Sequence, residues 1–104
     1  MENIDFTGAK RLMDSGAPYV LIDVRDEEEY ITGHAAGALL FPVDEISAAT
    51  AAAAVPDKTT AILTYCRTGR RSFDAAKKLE ALGYTAVYNL GSLVEWPYRL
   101  EYGL

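Results

Sequence analysis

The chain has 104 residues, 50% of them hydrophobic and 24% charged, with 10 basic against 15 acidic side chains and a formal net charge of −5. That balance excludes a disordered chain and fits one compact α/β-sized domain over residues 1–104. The alanine-rich uncharged run Ile46 to Pro56 is broken by Ser47 and Thr50 and falls well short of the roughly 20 apolar residues of a membrane span, so no membrane partner is expected.

The N-terminus, Met1-Glu2-Asn3-Ile4-Asp5, has neither a cationic start nor an apolar run, and the chain is expected to be cytoplasmic. Thr7 is a candidate cap for a short helix through Leu12 and Met13 that stops at Gly16. Pro18 then precedes the apolar run Tyr19 to Val24, a buried strand. Asp26 caps a turn of helix carrying Glu27, Glu28 and Glu29 at its positive end, and Gly33 supplies the exit. The acidic cluster is therefore read as helix-start chemistry.

Gly37 to Phe41 is a second short strand ended by Pro42, and Asp44 to Ala54 is an alanine-rich helix closed by Pro56. Ala61 to Tyr65 is a third strand that leads directly into Cys66. The loop Arg67 to Arg70 turns into a helix whose apolar positions Phe73, Ala76, Leu79 and Leu82 recur every three residues up to Gly83. Ala86 to Leu90 is a fourth strand, and Ser92 with Glu95 has the spacing of a capping box for a last helix. Short apolar strands alternating with helices predict a largely parallel sheet covered on both faces.

The chain has one cysteine and one histidine, which rules out an internal disulfide, a two-thiol redox pair and a Cys/His metal cluster, so no metal is expected. Between Cys66 and Lys78 lie Arg67, Arg70, Arg71, Lys77 and Lys78 against Asp74, a charge of 5 − 1 = +4, which leaves −5 − 4 = −9 for the rest. A protein this acidic repels nucleic acid overall, so a short basic island around the thiol points to a small anion.

Ligands of open α/β sheets gather outside the carboxyl ends of the strands, where Cys66 falls. The backbone N–H groups from Arg67 through Ser72 have no intrahelical partners and can form a nest at the next helix's positive end. A helix terminus favours a negative charge by about 0.3–2 kcal/mol, which lowers a thiol by up to about 1.5 pKa units at about 1.36 kcal/mol per unit. Nearby guanidinium groups act in the same direction, so Cys66 is the candidate nucleophile and is expected to be exposed and readily alkylated. Gly69 lets the loop bend. Arg71 either holds the loop's shape or contacts a bound oxyanion, Arg67 and Arg70 point outward as an electrostatic funnel, and Ser72 caps the helix or donates to sulfur.

The loop Cys66-Arg67-Thr68-Gly69-Arg70-Arg71-Ser72 resembles the Cys-x-x-Gly-x-Arg-Ser/Ala active-site loop of the rhodanese family of sulfurtransferases. Leu21-Ile22-Asp23-Val24-Arg25 is similar to that family's Asp-Val-Arg strand end, Tyr30 to Ala38 to its Gly-His segment, and Val87 to Trp96 to its final strand and tryptophan. The resemblance implies a three-layer α/β/α fold with a central, mostly parallel five-stranded sheet. It also implies a Cys66 persulfide that moves sulfane sulfur by double displacement, with Arg67, Thr68, Gly69, Arg70, Arg71 and Ser72 binding substrate. The implied partners are a small anionic sulfur donor such as thiosulfate and a thiol or cyanide acceptor, with a protein donor or acceptor also possible and no cofactor. Asp23, Arg25 and His34 are expected to be structural, and Trp96 is core or pocket wall. Gly91-Ser92 in place of the family's frequent Gly-Gly, and Ala35 in place of isoleucine, leave substrate size open.

Two rivals compete. A rhodanese-related cysteine phosphatase or arsenate reductase also uses a thiolate beneath N–H donors, but such phosphatases have five residues between cysteine and arginine, and four separate Cys66 from Arg71. A non-catalytic or sulfur-carrying module acting through a protein partner is the other.

Overall fold

The computed structural model describes residues 1–104. Its centre is set by two apolar runs that are buried on both faces, which is why they carry no alternating polar residues. These runs are β2 (Tyr19–Asp23) and β5 (Ala61–Cys66), paired in parallel from Tyr19 opposite Ala61 to Asp23 opposite Tyr65. Around them lie β1 (Glu2–Asn3), α1 (Phe6–Met13), α2 (Glu27–Ile31), β3 (His34–Ala35), β4 (Leu39–Leu40), α3 (Ala48–Ala54), α4 (Arg70–Ala81), β6 (Val87–Ser92) and β7 (Leu100–Glu101). The main sheet has the order β1-β6-β5-β2-β4 with every pair parallel, and β3 and β7 form a separate antiparallel pair.

Strand alternation divides the core in two. Ile22, Val24, Ile62 and Cys66 face Ala51 of α3 and Ala75, Ala76 and Leu79 of α4. Leu21, Leu63 and Tyr65 face the other way, onto Ala9 of α1, Ala35 and Ala38. The result is the three-layer α/β/α arrangement with a parallel five-stranded sheet. No helix is long and apolar enough to cross a membrane.

Several local expectations are corrected. The cap of α1 is Asp5, whose carboxylate accepts from the Gly8 N–H at 2.7 Å, and Thr7 lies inside the helix. The fifth strand, β1, is two exposed residues with no apolar pattern to announce it. The strand expected over 37–41 shrinks to Leu39–Leu40, because Gly37 sits in a turn closed by the Ala38 N–H on the Ala35 carbonyl at 3.0 Å. The helix expected over 44–54 divides into a 3₁₀ turn, Val43–Glu45, and α3, since Ser47 accepts from the Thr50 N–H at 3.2 Å and so starts a new helix.

The inward face of α4 is Ser72, Ala75, Ala76 and Leu79, the spacing of a 3.6-residue helix, and this leaves Phe73 46% exposed. The last helix does not form. β6 runs on to Ser92, the Leu93 N–H donates to the Cys66 carbonyl at 2.8 Å, and Pro97 biases Trp96 away from helical geometry. The chain turns instead through Glu95, at φ 67°, and returns as β7 beside β3.

Asp5→Ala is expected to lower unfolding free energy by about 1 kcal/mol through loss of the cap, with a much smaller effect for Thr7→Ala. Chemical denaturation of the two variants checks the assignment, and equal losses would contradict it.

Candidate active site

β5 delivers Cys66 to the carboxyl end of the sheet's central strand, with its side chain on the α4 side. The chain then has three residues in which to reverse and begin α4. Gly69 makes this possible by taking φ +98°, a left-handed conformation that side chains disfavour. The loop closes over the sulfur. The Gly69 N–H lies 3.0 Å from Sγ and the Ser72 N–H 3.4 Å, so the positive end of a 12-residue helix points at the thiol.

Two effects oppose each other at this sulfur. Burial pushes the thiol up, but hydrogen bonds from Ser72, Gly69 and Thr68 pull harder, and Cys66 sits below its ordinary value. The expected exposure is corrected: Cys66 has 0% of its surface accessible, because the loop that stabilises the anion also roofs it. The buried Ser72 is fixed at both ends, its hydroxyl donating to the Gly69 carbonyl at 3.0 Å while its carbonyl accepts from Thr64 Oγ1 at 3.0 Å.

Arg71 points away from the sulfur's immediate contacts and makes a two-pronged ion pair with Glu29, at 2.7 Å and 2.9 Å. The guanidinium holds the Glu29 carboxyl down at about 2, and the carboxylate in turn raises Arg71. Glu29 is one of the helix-start acids, and it accepts from the Asp26 N–H at 3.2 Å. Its pairing with Arg71, 42 residues away, had no local signal. Arg67, Thr68 and Arg70 are exposed on the outer side of the loop, and neither of these arginines forms an ion pair.

Asp23 and Arg25 form an ion pair, His34 packs separately on Tyr30, and none of the three bonds to the sulfur. Asp23, fully buried, accepts from Arg25 Nη2 at 2.7 Å and from the Tyr65 hydroxyl at 2.7 Å, and Arg25 Nη2 also donates to the Gly33 carbonyl at 2.7 Å. Burial and the Asp23 bond push the Tyr65 hydroxyl well above its ordinary range. The His34 ring stacks on Tyr30 at 3.5 Å between centroids, with Nδ1 2.8 Å from the Tyr30 carbonyl. Trp96 packs edge-on against Phe6 and Tyr98, away from Cys66.

An open cavity of about 310 Å³ lies beside the loop, lined by Arg25, Glu29, Thr32, Arg67, Leu93 and Val94. A larger one, about 710 Å³, lies over β1 and β6 and offers neither a nucleophile nor a cation, so the smaller cavity is the one with chemistry at its edge. Of its charged lining groups Arg25 is paired with Asp23 and Glu29 with Arg71, which leaves the exposed Arg67 as the cation without a carboxylate partner, beside the apolar Leu93 and Val94. No group of three or more His, Cys, Asp and Glu side chains is arranged to hold a metal ion. The site as built can hold one ionised sulfur among fixed dipoles without a neighbouring base.

The Rhodanese-like domain family model matches residues 6–97. The thiosulfate sulfurtransferase PspE of Escherichia coli is 43% identical over 72 residues, covering 69% of this chain and 68% of that protein. The probable adenylyltransferase/sulfurtransferase MoeZ of Mycobacterium tuberculosis is 38% identical over 90 residues, which is 86% of this chain but 23% of that protein, so the chain spans about a quarter of this larger relative. Among solved structures, a rhodanese with anions from E. coli superposes with a TM-score of 0.76 at 38% identity, covering 82% of this chain and 99% of that one.

The Glu29–Arg71 pair gives a defined acid response. Because the Glu29 carboxyl is depressed in the folded state, the stabilisation is complete above about pH 4.5 and is lost as pH falls toward about 2. Both side chains are about a third exposed, so screening limits the effect to about 1 kcal/mol. Glu29→Gln is expected to flatten this part of the stability curve, measured by denaturant melts across the window.

Proposed function

The chain belongs to the rhodanese-like sulfurtransferase family, and from that premise we propose that Cys66 is its catalytic nucleophile and carries sulfane sulfur as a persulfide. The Cys66 thiolate attacks the outer sulfur of thiosulfate or of another persulfide, forming an S–S bond, and sulfite or a thiolate leaves with the electron pair of the broken bond. An acceptor thiolate or cyanide then attacks the terminal sulfur, and Cys66 departs as thiolate. Atoms and charge balance without a metal or cofactor.

The observation that carries this reading is the pair of amides, Gly69 and Ser72, at 3.0 Å and 3.4 Å from Sγ. Donors already fixed around one charged sulfur need little rearrangement to serve the charge on a second. In this reading the loop from Arg67 to Ser72 binds the anion, Arg67 and Arg70 draw it in, and Arg71 acts on loop shape through Glu29. Asp23, Arg25 and His34 support the strand ends. The likeness to PspE, a thiosulfate sulfurtransferase, favours thiosulfate as donor. The four-residue spacing between Cys66 and Arg71 favours sulfur over a phosphate ester.

Intact mass after exposure to thiosulfate is expected to rise by one sulfur atom in the parent protein and not in Cys66→Ser. Unchanged mass in the parent with every donor tried would reject the enzyme reading in favour of a non-catalytic module. Arg71→Ala is expected to reduce sulfur loading at least roughly tenfold more than Arg67→Ala, since a factor of ten needs only about 1.4 kcal/mol of lost organisation. Equal losses in single-turnover assays would remove Arg71 from that role.

A further inference from the structure

Ser92, the last residue of β6, stands opposite Cys66 in the strand register. Its hydroxyl donates to the Arg67 carbonyl at 2.6 Å and accepts from the Val94 N–H at 3.0 Å. The Val94 amide engages the oxygen's lone pair, so the hydroxyl proton is directed to Arg67. One side chain thereby ties the loop after Cys66 to the opposite wall of the cavity that Val94 lines.

The consequence comes from peptide geometry. A peptide unit is planar and trans, so its C=O and N–H point in opposite directions. The Arg67 carbonyl and the Thr68 N–H belong to one such unit. A hydroxyl that draws the oxygen toward β6 turns the N–H the other way, away from that strand. Thr68 is one of the three residues whose hydrogen bonds lower Cys66. Gly69 and Ser72 owe their direction to the left-handed turn and the start of α4, whereas nothing in the helix fixes the Arg67–Thr68 peptide. A residue without a hydroxyl at position 92 would leave that carbonyl to water and its plane free to rotate.

We propose that Ser92 is a positioning residue of the sulfur site, setting the plane of the Arg67–Thr68 peptide so that the Thr68 N–H faces the charged sulfur of Cys66. The effect on the thiolate rests on the Ser92–Arg67 hydrogen bond, the planarity of the peptide unit and the place of Thr68 among the groups that lower Cys66. Its extension to a persulfide rests on the sulfurtransferase reading above.

The test uses the full chain, whose single cysteine makes thiolate absorbance in the ultraviolet a direct readout. Titration of the parent, Ser92→Ala and Ser92→Thr is expected to move the midpoint up by about 0.5–1 unit in the alanine variant, roughly threefold to tenfold less thiolate below the midpoint. Ser92→Thr, which keeps a hydroxyl, is expected to titrate as the parent does. Sulfur loading from thiosulfate should fall in Ser92→Ala mainly in rate, with half-saturation little changed. A midpoint unaltered in Ser92→Ala, or displaced equally in Ser92→Thr, would overturn the assignment. Should Ser92→Ala not fold, Ser92→Gly removes the same hydroxyl and gives the same comparison. If the parent loads no sulfur at all, the activity reading fails while the titration still decides the role of Ser92.

Discussion

A carboxylate with no solvent exposure, at the end of a central strand, must find all its partners inside the protein. Asp23 is that group, and an unpaired charge there would cost several kcal/mol. Its partners decide much of the geometry around it. Arg25 folds back across two residues to reach it and then holds the Gly33 carbonyl, and Tyr65 reaches it from the neighbouring strand. The Tyr65 hydroxyl also accepts from the Ala35 N–H at 3.1 Å, which ties in the segment that pairs with β7. Tyr65 immediately precedes Cys66, so the network fixes the level at which β5 ends and the sulfur begins.

Above that level, the loop balances two opposing demands on one atom. Enclosure disfavours a charged sulfur, and amide donors favour it. The same seven residues supply both, since the loop that covers Sγ is the loop whose N–H groups face it. The outer end of this structure is held by Glu29, whose helix belongs to a different part of the chain. Arg71 thus connects the start of α4 to α2 across the edge of the cavity. A basic residue beside a thiol need not be a substrate contact: here the guanidinium is already occupied by a carboxylate.

The sheet and the thiol's position were legible because they depend on short-range patterns. Apolar runs at 19–24 and 61–65 mark strands buried on both faces, and a cysteine directly after such a run, followed by a glycine and a helix, marks a strand-to-helix junction. What was not legible depends on distant partners. β1 is two polar residues that become a strand only because β6 offers an open edge. Glu29 looks like any first-turn acid until the fold brings Arg71 to it. Ser92 and Glu95 have the spacing of a capping box, yet the Leu93 amide is taken by Cys66 and the serine hydroxyl by Arg67. Phe73 fits a repeat of three, but a true helical repeat turns it outward.

The two outermost strands of the main sheet are only two residues long each, Glu2–Asn3 on one side and Leu39–Leu40 on the other. Unsatisfied amide rows of that length give an incoming chain little to register against, and Pro42 truncates the second row further. The consequence is resistance to intermolecular strand addition: a sheet rich in Val, Ile and Leu keeps its adhesive centre sealed behind rims too narrow to nucleate a fibril.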